Sequence, residues 1–98
     1  MPRLLVIKGA DEGKQFDLTE PVVSLGRDAS NHIRLHDTEV SRRHAEVRQT
    51  DAGFQLVDHA SANGTFVNRS RIHPGQKRQL FLNDVIQIGT VHLKVKVA

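Results

Sequence analysis

Hydrophobic and polar residues alternate in short runs along almost the whole chain, and this period of two constrains the fold more than any other feature. The last run is the clearest: Val91, Leu93, Val95 and Val97 alternate with polar neighbours. A period of two puts every second side chain on the same face of a β-strand. Turn-forming residues separate the runs at intervals of about 8–12 residues. The pattern predicts an all-β sandwich or barrel of about ten or eleven short strands.

Two stretches depart from this alternation. The run from Leu4 to Ile7 is continuously apolar, which predicts a strand covered on both faces. The stretch from Thr38 to Thr50 is the only candidate helix, but Val40, Ala45 and Val47 fit a period of 3.6 poorly, and we reject a helix there. With 98 residues and no repeat or linker, residues 1–98 are expected to form a single domain.

Composition excludes several classes of protein. The chain has no cysteine, so disulfides, cysteine-based zinc sites and thiol nucleophiles are excluded. The apolar run from Leu4 to Ile7 is too short for the h-region of a signal peptide, and no apolar run approaches the ~20 residues of a membrane helix. We therefore expect a cytoplasmic protein with no membrane partner. The formal charge of +3, from 14 basic and 11 acidic residues, favours an anionic partner but is small for a dedicated nucleic-acid binder.

Two polar segments flank a short strand: Gly26-Arg27, and Ser41-Arg42-Arg43-His44. A glycine at a strand end lets the backbone turn sharply or approach a ligand. Arginine carries a planar fork of donors that matches phosphate or carboxylate oxygens, and serine adds a hydroxyl donor. Each segment alone is also consistent with a solvated charged loop, such as Arg27 beside Asp28.

The dipeptide Asn63-Gly64 has two interpretations. It is typical of a two-residue type I′ turn, in which both residues adopt positive φ. Alternatively, the asparagine amide supplies a paired donor and acceptor that could hold a peptide backbone. The residues alone do not choose between these interpretations.

Catalysis and metal binding fit the sequence poorly. Ser41 and His44 lie in one loop without the Gly-x-Ser-x-Gly elbow of a hydrolase. His32 and His36 have the spacing of helical zinc ligands, but on a strand four residues span ~13 Å, too far for one ion. We expect no catalytic residue, no metal and no cofactor.

The order and spacing of Gly26-Arg27, Ser41-x-x-His44 and Asn63-Gly64-Thr65, with Asn68 following, resemble those of the forkhead-associated (FHA) domain family. The resemblance covers nearly the whole chain, from about Leu4 to Val97. It implies an FHA-type (SMAD/FHA-like) β-sandwich of two sheets, about eleven strands and binding loops at one end. It also implies a non-catalytic signalling or scaffolding module that recognises phosphothreonine in a partner protein, a substrate of a Ser/Thr kinase.

The same resemblance assigns roles to individual residues. Phosphopeptide contacts are implied for Arg27, Ser41, Arg42 and Asn63. For Arg43 two roles stay open, an additional contact to the ligand or only a contribution to the local positive potential. Roles in shaping or bracing the loops are implied for Gly26, His44, Gly64, Thr65 and Asn68.

The chain departs from the family pattern at two places. Ala62 stands where many members have Ser or Thr, so a hydroxyl near the phosphate is missing. Asn83-Asp84 replaces the more usual Gly-Asp, which is expected to affect only a turn. Two other functions stay open: a phosphate-independent interaction module, for which Ala62 is the hint, and a nucleic-acid-binding β domain. The second is suggested by a basic stretch of four residues, which are Arg69, Arg71, Lys77 and Arg78.

Overall fold

The computed structural model describes residues 2–97, with side chains described for residues 2–96, and contains eleven strands. In chain order these are β1 (Pro2–Lys8), β2 (Gln15–Asp17), β3 (Val22–Gly26), β4 (Ile33–Arg34), β5 (Ala45–Thr50), β6 (Gly53–Asp58), β7 (Thr65–Val67), β8 (Ser70–Ile72), β9 (Lys77–Leu80), β10 (Val85–Ile88) and β11 (Val91–Val97). The predicted all-β class and strand number are confirmed. Thr38–Thr50 forms no helix, and residues 2–97 include no helix able to cross a membrane.

The strands form two sheets. One has six strands in the order β2-β1-β11-β10-β7-β8, and the other has five in the order β4-β3-β5-β6-β9. All paired strands run antiparallel except β3 and β4, which are parallel. The two sheets bury one shared core of alternate residues, including Leu4, Leu25, Leu56, Ile86 and Leu93. The predicted two-sheet sandwich is therefore confirmed.

Strand β1 corrects one expectation from the sequence. Leu4 and Val6 are buried, but Leu5 is half-buried and Ile7 is 38% exposed. The strand is therefore covered on one face only, although its sequence is apolar on both. The pairing register between β1 and β11 shifts between Val6 and Lys8, which is a bulge. An apolar run alone did not reveal that the outer face of this sheet carries no covering layer.

Three loops and one turn lie together at one end of the sandwich. The loops connect β3 to β4 (residues 27–32), β4 to β5 (residues 35–44) and β6 to β7 (residues 59–64). The β10–β11 turn at Gly89-Thr90 joins them, because Asp37 accepts hydrogen bonds from the Thr90 backbone (2.8 Å) and hydroxyl (2.5 Å). The polar segments singled out in the sequence therefore lie at one end of a rigid scaffold.

Candidate functional site

Direct hydrogen bonds connect the three loops. The Arg27 N–H donates to the Ser41 carbonyl (3.0 Å), which joins the β3–β4 loop to the β4–β5 loop. The Ala62 N–H donates to Ser41 Oγ (3.1 Å), and Asn63 Nδ2 donates to the Glu39 carbonyl (2.7 Å). These two bonds join the β6–β7 loop to the β4–β5 loop. The structure thus brings Arg27, Ser41 and Asn63 to the same end of the molecule.

The Arg27 guanidinium lies at the rim of this cluster. Its Nε donates to the Val40 carbonyl (3.1 Å), which holds the side chain against the β4–β5 loop. The neighbouring Asp28 carboxylate instead accepts from the Ser30 hydroxyl (2.8 Å). No carboxylate of residues 2–97 forms an ion pair with Arg27. The terminal guanidinium nitrogens are therefore positioned and free to bind an anion, which is not what a solvated Arg27–Asp28 pair would show.

The Ser41 hydroxyl can donate a hydrogen bond to a ligand. Its oxygen accepts from the Ala62 N–H, so the position of the oxygen is fixed. A hydroxyl has one O–H donor besides its acceptor lone pairs. The Ser41 O–H therefore stays available to a ligand that offers acceptor oxygens.

Asn63 does not form the type I′ turn that the dipeptide could indicate. Of the two residues of the dipeptide, Gly64 has positive φ (88°) and Asn63 does not. The loop also joins β6 and β7, which belong to different sheets and do not form a hairpin. The Asn63 side chain is exposed, and its one hydrogen bond within residues 2–97 is the donation to Glu39. Its Oδ1 can therefore accept from an extended peptide lying across the loops.

His44 is fully buried and bridges two loops from behind. Its Nδ1 accepts from the Ser41 N–H (3.0 Å), so Nε2 carries the proton and donates to the Gly64 carbonyl (2.8 Å). Burial lowers the pKa of His44 below its ordinary value, although the Gly64 hydrogen bond and the charge of Asp58 act in the opposite direction. A neutral imidazole is required here, because a protonated Nδ1 could not accept from Ser41.

Gly26 is needed because the backbone of the β4–β5 loop passes directly over it. A Cβ at this position would lie 2.2 Å from the Arg42 carbonyl oxygen and 2.7 Å from Asn31 Nδ2. That carbonyl is itself fixed, since it accepts from Asn31 Nδ2 (2.7 Å) and from the Asp28 N–H (3.2 Å). Gly26 therefore sets the distance between the two loops that carry Arg27 and Ser41.

We predict that Gly26→Ala destabilises the domain by about 1–3 kcal/mol, the usual cost of overpacking a fixed site, and displaces the β4–β5 loop. Urea unfolding measures the first effect. Gly75→Ala is a comparison for backbone strain alone, because nothing lies within 4 Å of a Cβ at Gly75 and its positive φ (84°) costs about 1–2 kcal/mol. A Gly26→Ala variant as stable as the unsubstituted domain would show that the close approach does not matter.

Asn31 was not identified from the sequence, although it joins two loops. It is buried, and its Nδ2 donates to the carbonyls of Asp28 (2.8 Å) and Arg42 (2.7 Å). Its Oδ1 is buried without a hydrogen-bond partner. Only the turn-forming composition around Asp28-Ala29-Ser30 hinted at a structured loop, and it gave no sign of the distant partner Arg42.

Asp58 was missed as well, and it organises the β6–β7 loop. It accepts from the Ser61 hydroxyl (2.5 Å), the Ser61 N–H (3.1 Å) and the Thr65 hydroxyl (2.6 Å). Burial acts to raise the pKa of Asp58, but the hydrogen bonds from Ser61 and Thr65 outweigh it and the pKa lies below its usual range. The loop is also held at Gly64, whose N–H donates to Ser61 Oγ (3.1 Å).

The other residues named from the sequence fall into two groups. Arg42 and Arg43 are exposed on the β4–β5 loop beside Ser41. Asn68 does not belong to this cluster: its Nδ2 donates to Asp84 Oδ1 (2.9 Å), and its Oδ1 accepts from the Val85 N–H (3.0 Å). It shapes the β7–β8 turn at the opposite end of the sandwich.

The structure also shows the surroundings of Arg34 and of Asn83, which stands where the family more usually has glycine. Arg34, overlooked in the sequence, lies close to the cluster because its Nε donates to the Arg27 carbonyl (3.1 Å). Asn83 has a φ of 71°, so it adopts the backbone conformation in which a glycine is commoner. The expectation that Asn83-Asp84 affects only a turn agrees with this geometry, since Asp84 pairs with Asn68 and not with the loop cluster.

The arrangement is suited to binding an anion. Donors of three types converge on one surface: a guanidinium, a hydroxyl and an amide. Within residues 2–97, no group of three or more His, Cys, Asp or Glu side chains is placed to hold a metal ion. The one buried histidine of the cluster is occupied on both nitrogens by backbone groups.

Comparison with known proteins agrees with this geometry. The FHA domain family model matches residues 23–89. Among curated proteins, the chain is 42% identical over 90 residues to the oxoglutarate dehydrogenase inhibitor of Corynebacterium diphtheriae, covering 92% of this chain and 61% of that protein. It is 45% identical over 91 residues to the glycogen accumulation regulator GarA of Mycolicibacterium smegmatis, covering 92% of this chain and 56% of that protein. The chain thus spans about 60% of the length of these relatives.

A solved structure from a study of phosphothreonine-dependent FHA domain interactions is similar over the whole fold. It has a TM-score of 0.87 and 34% sequence identity, and the match covers 99% of this chain and 96% of that one. The match therefore includes β1, β2 and β11, which lie outside the residues matched by the family model.

Proposed function

The chain belongs to the FHA domain family, and on that basis we propose that it is a binding module that recognises phosphothreonine in a partner protein. One observation carries the proposal: Arg27, Ser41 and Asn63 lie in three separate loops that hydrogen bonds hold together at one end of the sandwich. Donors fixed in this way need little reorganisation when a ligand binds.

The chemistry of a phosphothreonine fits these donors. The group carries about −1.5 to −2 charges at pH 7 and three strong acceptor oxygens. The free nitrogens of Arg27 can bind two of these oxygens, and the Ser41 O–H can donate to another. The exposed Arg42 adds positive charge on the same loop. Asn63 Oδ1 is then left for a backbone N–H of the peptide.

The affinity should be moderate, because the surface is small and made of loops. Hydrogen bonds to charged groups contribute roughly 1.5–3 kcal/mol each. Two or three such bonds make the phosphate decisive, and a Kd in the micromolar range, about −8 kcal/mol, is expected. Ala62 supplies no hydroxyl, which should weaken binding or reduce the preference for threonine over serine.

We predict that replacing the phosphothreonine of a bound peptide by glutamate weakens binding at least about 10-fold. A carboxylate has one charge and two coplanar oxygens, against a tetrahedral dianion. The peptide is first selected from an oriented phosphothreonine library, and calorimetric titration then compares its phosphorylated, unphosphorylated and glutamate forms. Equal affinity for all three forms would identify a phosphate-independent module and would refute the proposal.

Nucleic-acid binding is tested with labelled single-stranded DNA in the same buffer. Of the basic stretch noted above, Arg69 and Arg71 lie at or beside β8, whereas Lys77 and Arg78 lie on β9 of the other sheet. These side chains therefore do not form one continuous binding face. Tight DNA binding with a steep salt dependence, without preference for the phosphopeptide, would favour this function instead.

Three further points belong to the proposal. The module is not an enzyme: the family is one of binding modules, and the two curated relatives are an inhibitor and a regulator. Residues 1–98 are one domain, which the pairing of β11 with both β1 and β10 supports.

The partner of the module is a substrate of a Ser/Thr kinase. Since such kinases use ATP, we place the interaction in the cytoplasm.

A further inference from the structure

The outer face of the six-stranded sheet is basic. Strand β11 turns Lys94 and Lys96 outward, because the alternate residues Leu93 and Val95 are buried. On β1, Arg3 lies directly opposite Lys96 in the pairing register. These long side chains form a positively charged row along the neighbouring strands β1 and β11.

One more arginine extends this positive charge, because Arg69 lies exposed in the β7–β8 turn. Arg71 on β8 does not, because its guanidinium lies beside Gly64 of the β6–β7 loop, at the end of the phosphothreonine site. Among the described strands of this sheet, the single acidic residue is Asp17 on β2. Ion pairs with carboxylates of residues 2–97 are absent for the four cations of this surface, which are Arg3, Arg69, Lys94 and Lys96.

A groove of about 430 Å³ runs across the same face. Its apolar lining comes from Ile7, which is 38% exposed at the β1 bulge, and from the half-buried Val85. Arg69 lies at the edge of the groove, in the β7–β8 turn that Asn68 holds in place. Both residues of this turn have positive φ, 49° for Asn68 and 71° for Arg69. Grooves of this size accommodate a few side chains of a ligand.

We propose that this face is a second docking surface, and that it binds an acidic peptide segment carrying an apolar residue. The apolar residue would fill the groove against Ile7 and Val85, while the carboxylates would face Lys94, Lys96 and Arg69. Charge complementarity selects an acidic occupant. The apolar groove selects a protein over a nucleic acid, since Phe66 and the His92 imidazole are the two rings on the outer side of the described strands of this sheet, which are few for the stacking of successive bases.

The surface is separate from the phosphothreonine site. None of the residues that line the groove belongs to the three loops that carry Arg27, Ser41 and Asn63. A partner with a phosphothreonine and an acidic segment could occupy both surfaces at once. Binding at the second surface would then be intramolecular and would strengthen the whole complex.

The test uses a 12-residue unphosphorylated peptide of alternating glutamate and leucine, titrated into the ¹⁵N-labelled chain at low salt. We expect amide shifts at Ile7, Val85, Gln87 and His92, with a Kd below about 1 mM, and weaker binding in 0.5 M NaCl. Lys94→Glu should weaken binding about 10-fold and leave phosphothreonine-peptide affinity unchanged. Lys77→Glu on β9 is the matched control, because it changes the net charge equally on the other sheet.

Several outcomes would overturn the proposal. These are the absence of shifts at the groove up to 1 mM peptide, an equal effect of Lys94→Glu and Lys77→Glu, and equal binding of a peptide with serine in place of leucine. Binding of single-stranded DNA or phosphatidylserine vesicles, without binding of the peptide, would also overturn it. If Lys94→Glu proves unstable, the amide shifts of the unsubstituted chain still test the proposal, because they show whether the peptide binds at the groove.

Discussion

Replacing Arg27 by alanine should weaken phosphothreonine-peptide binding at least about 100-fold and leave the fold intact. The side chain would supply two charge-assisted hydrogen bonds to the phosphate, each worth roughly 1.5–3 kcal/mol. Its structural contribution is small, because its one side-chain hydrogen bond goes to the Val40 carbonyl at an exposed rim. Calorimetric titration measures the affinity, and a thermal melt reports whether the domain stays folded.

Two further variants separate charge from geometry. Arg27→Lys keeps the charge but loses the planar fork, so it should recover only part of the lost affinity. Lys77→Ala removes an exposed charge on β9, opposite Val57, and should change affinity less than about two-fold, because this side chain forms no hydrogen bond or ion pair with the three loops within residues 2–97. If Arg27→Ala bound as well as the unsubstituted chain, or if Lys77→Ala reduced binding equally, Arg27 would not be the phosphate ligand.

His44→Ala should lower both the stability of the domain and its affinity for a phosphopeptide. The substitution leaves the Ser41 N–H and the Gly64 carbonyl without partners, and each unsatisfied buried group costs about 1–3 kcal/mol. A loss of about 3 kcal/mol or more is expected, which in a domain of this size lowers Tm by roughly 12–24 °C. His73→Ala, at an exposed turn, is the control and should leave Tm nearly unchanged.

The same residue makes stability depend on pH in a defined direction. Because burial lowers the pKa of His44 in the folded state, the unfolded chain binds the proton more readily. Its contribution to stability is therefore complete above pH 6.5 and decreases as pH falls through the interval below that value. For Asp58, whose pKa is also lowered, the loss comes only at more acidic pH, below its ordinary value of about 3.9.

Urea unfolding at pH 7.5 and pH 5.5 distinguishes the contribution of His44 from that of the carboxylates. The unsubstituted domain should lose stability between these values. His44→Gln cannot titrate, so its loss over the same interval should be smaller. An equal pH dependence in both proteins would show that His44 is not the group responsible.

The sequence predicted the fold well because its signals are local. Alternation and turn residues indicated the strands, and the two-residue turn at Gly89-Thr90 connects β10 and β11 as expected. The exposure of Ile7 could not be predicted, because it depends on which face of the six-stranded sheet meets the other sheet. Similarly, the FHA resemblance implied that Asn68 shapes or braces the loops, and the loop that it shapes is the β7–β8 turn, at the opposite end of β7 from the binding loops.

Only some residues of the candidate site could be predicted from the sequence. Arg27, Ser41 and Asn63 were identified because the order and spacing of their motifs resemble those of the FHA family, whereas each residue alone is also consistent with an ordinary loop. Of the groups that hold them in place, Asn31 donates to the Arg42 carbonyl, 11 residues away in sequence, whereas Asp58 accepts from the nearer residues Ser61 and Thr65. A side chain that caps a distant backbone group leaves no periodic or local signature, so only the folded structure reveals it.

The most direct test is an NMR titration of the ¹⁵N-labelled chain with a selected phosphothreonine peptide and its unphosphorylated form. With the phosphorylated peptide, the largest shifts should occur at Arg27 Nε–H, the Ser41 amide and Asn63 Nδ2, and the unphosphorylated peptide should leave these signals unchanged. Shifts confined to other surfaces, or identical shifts with both peptides, would contradict a phosphothreonine site built from these three loops.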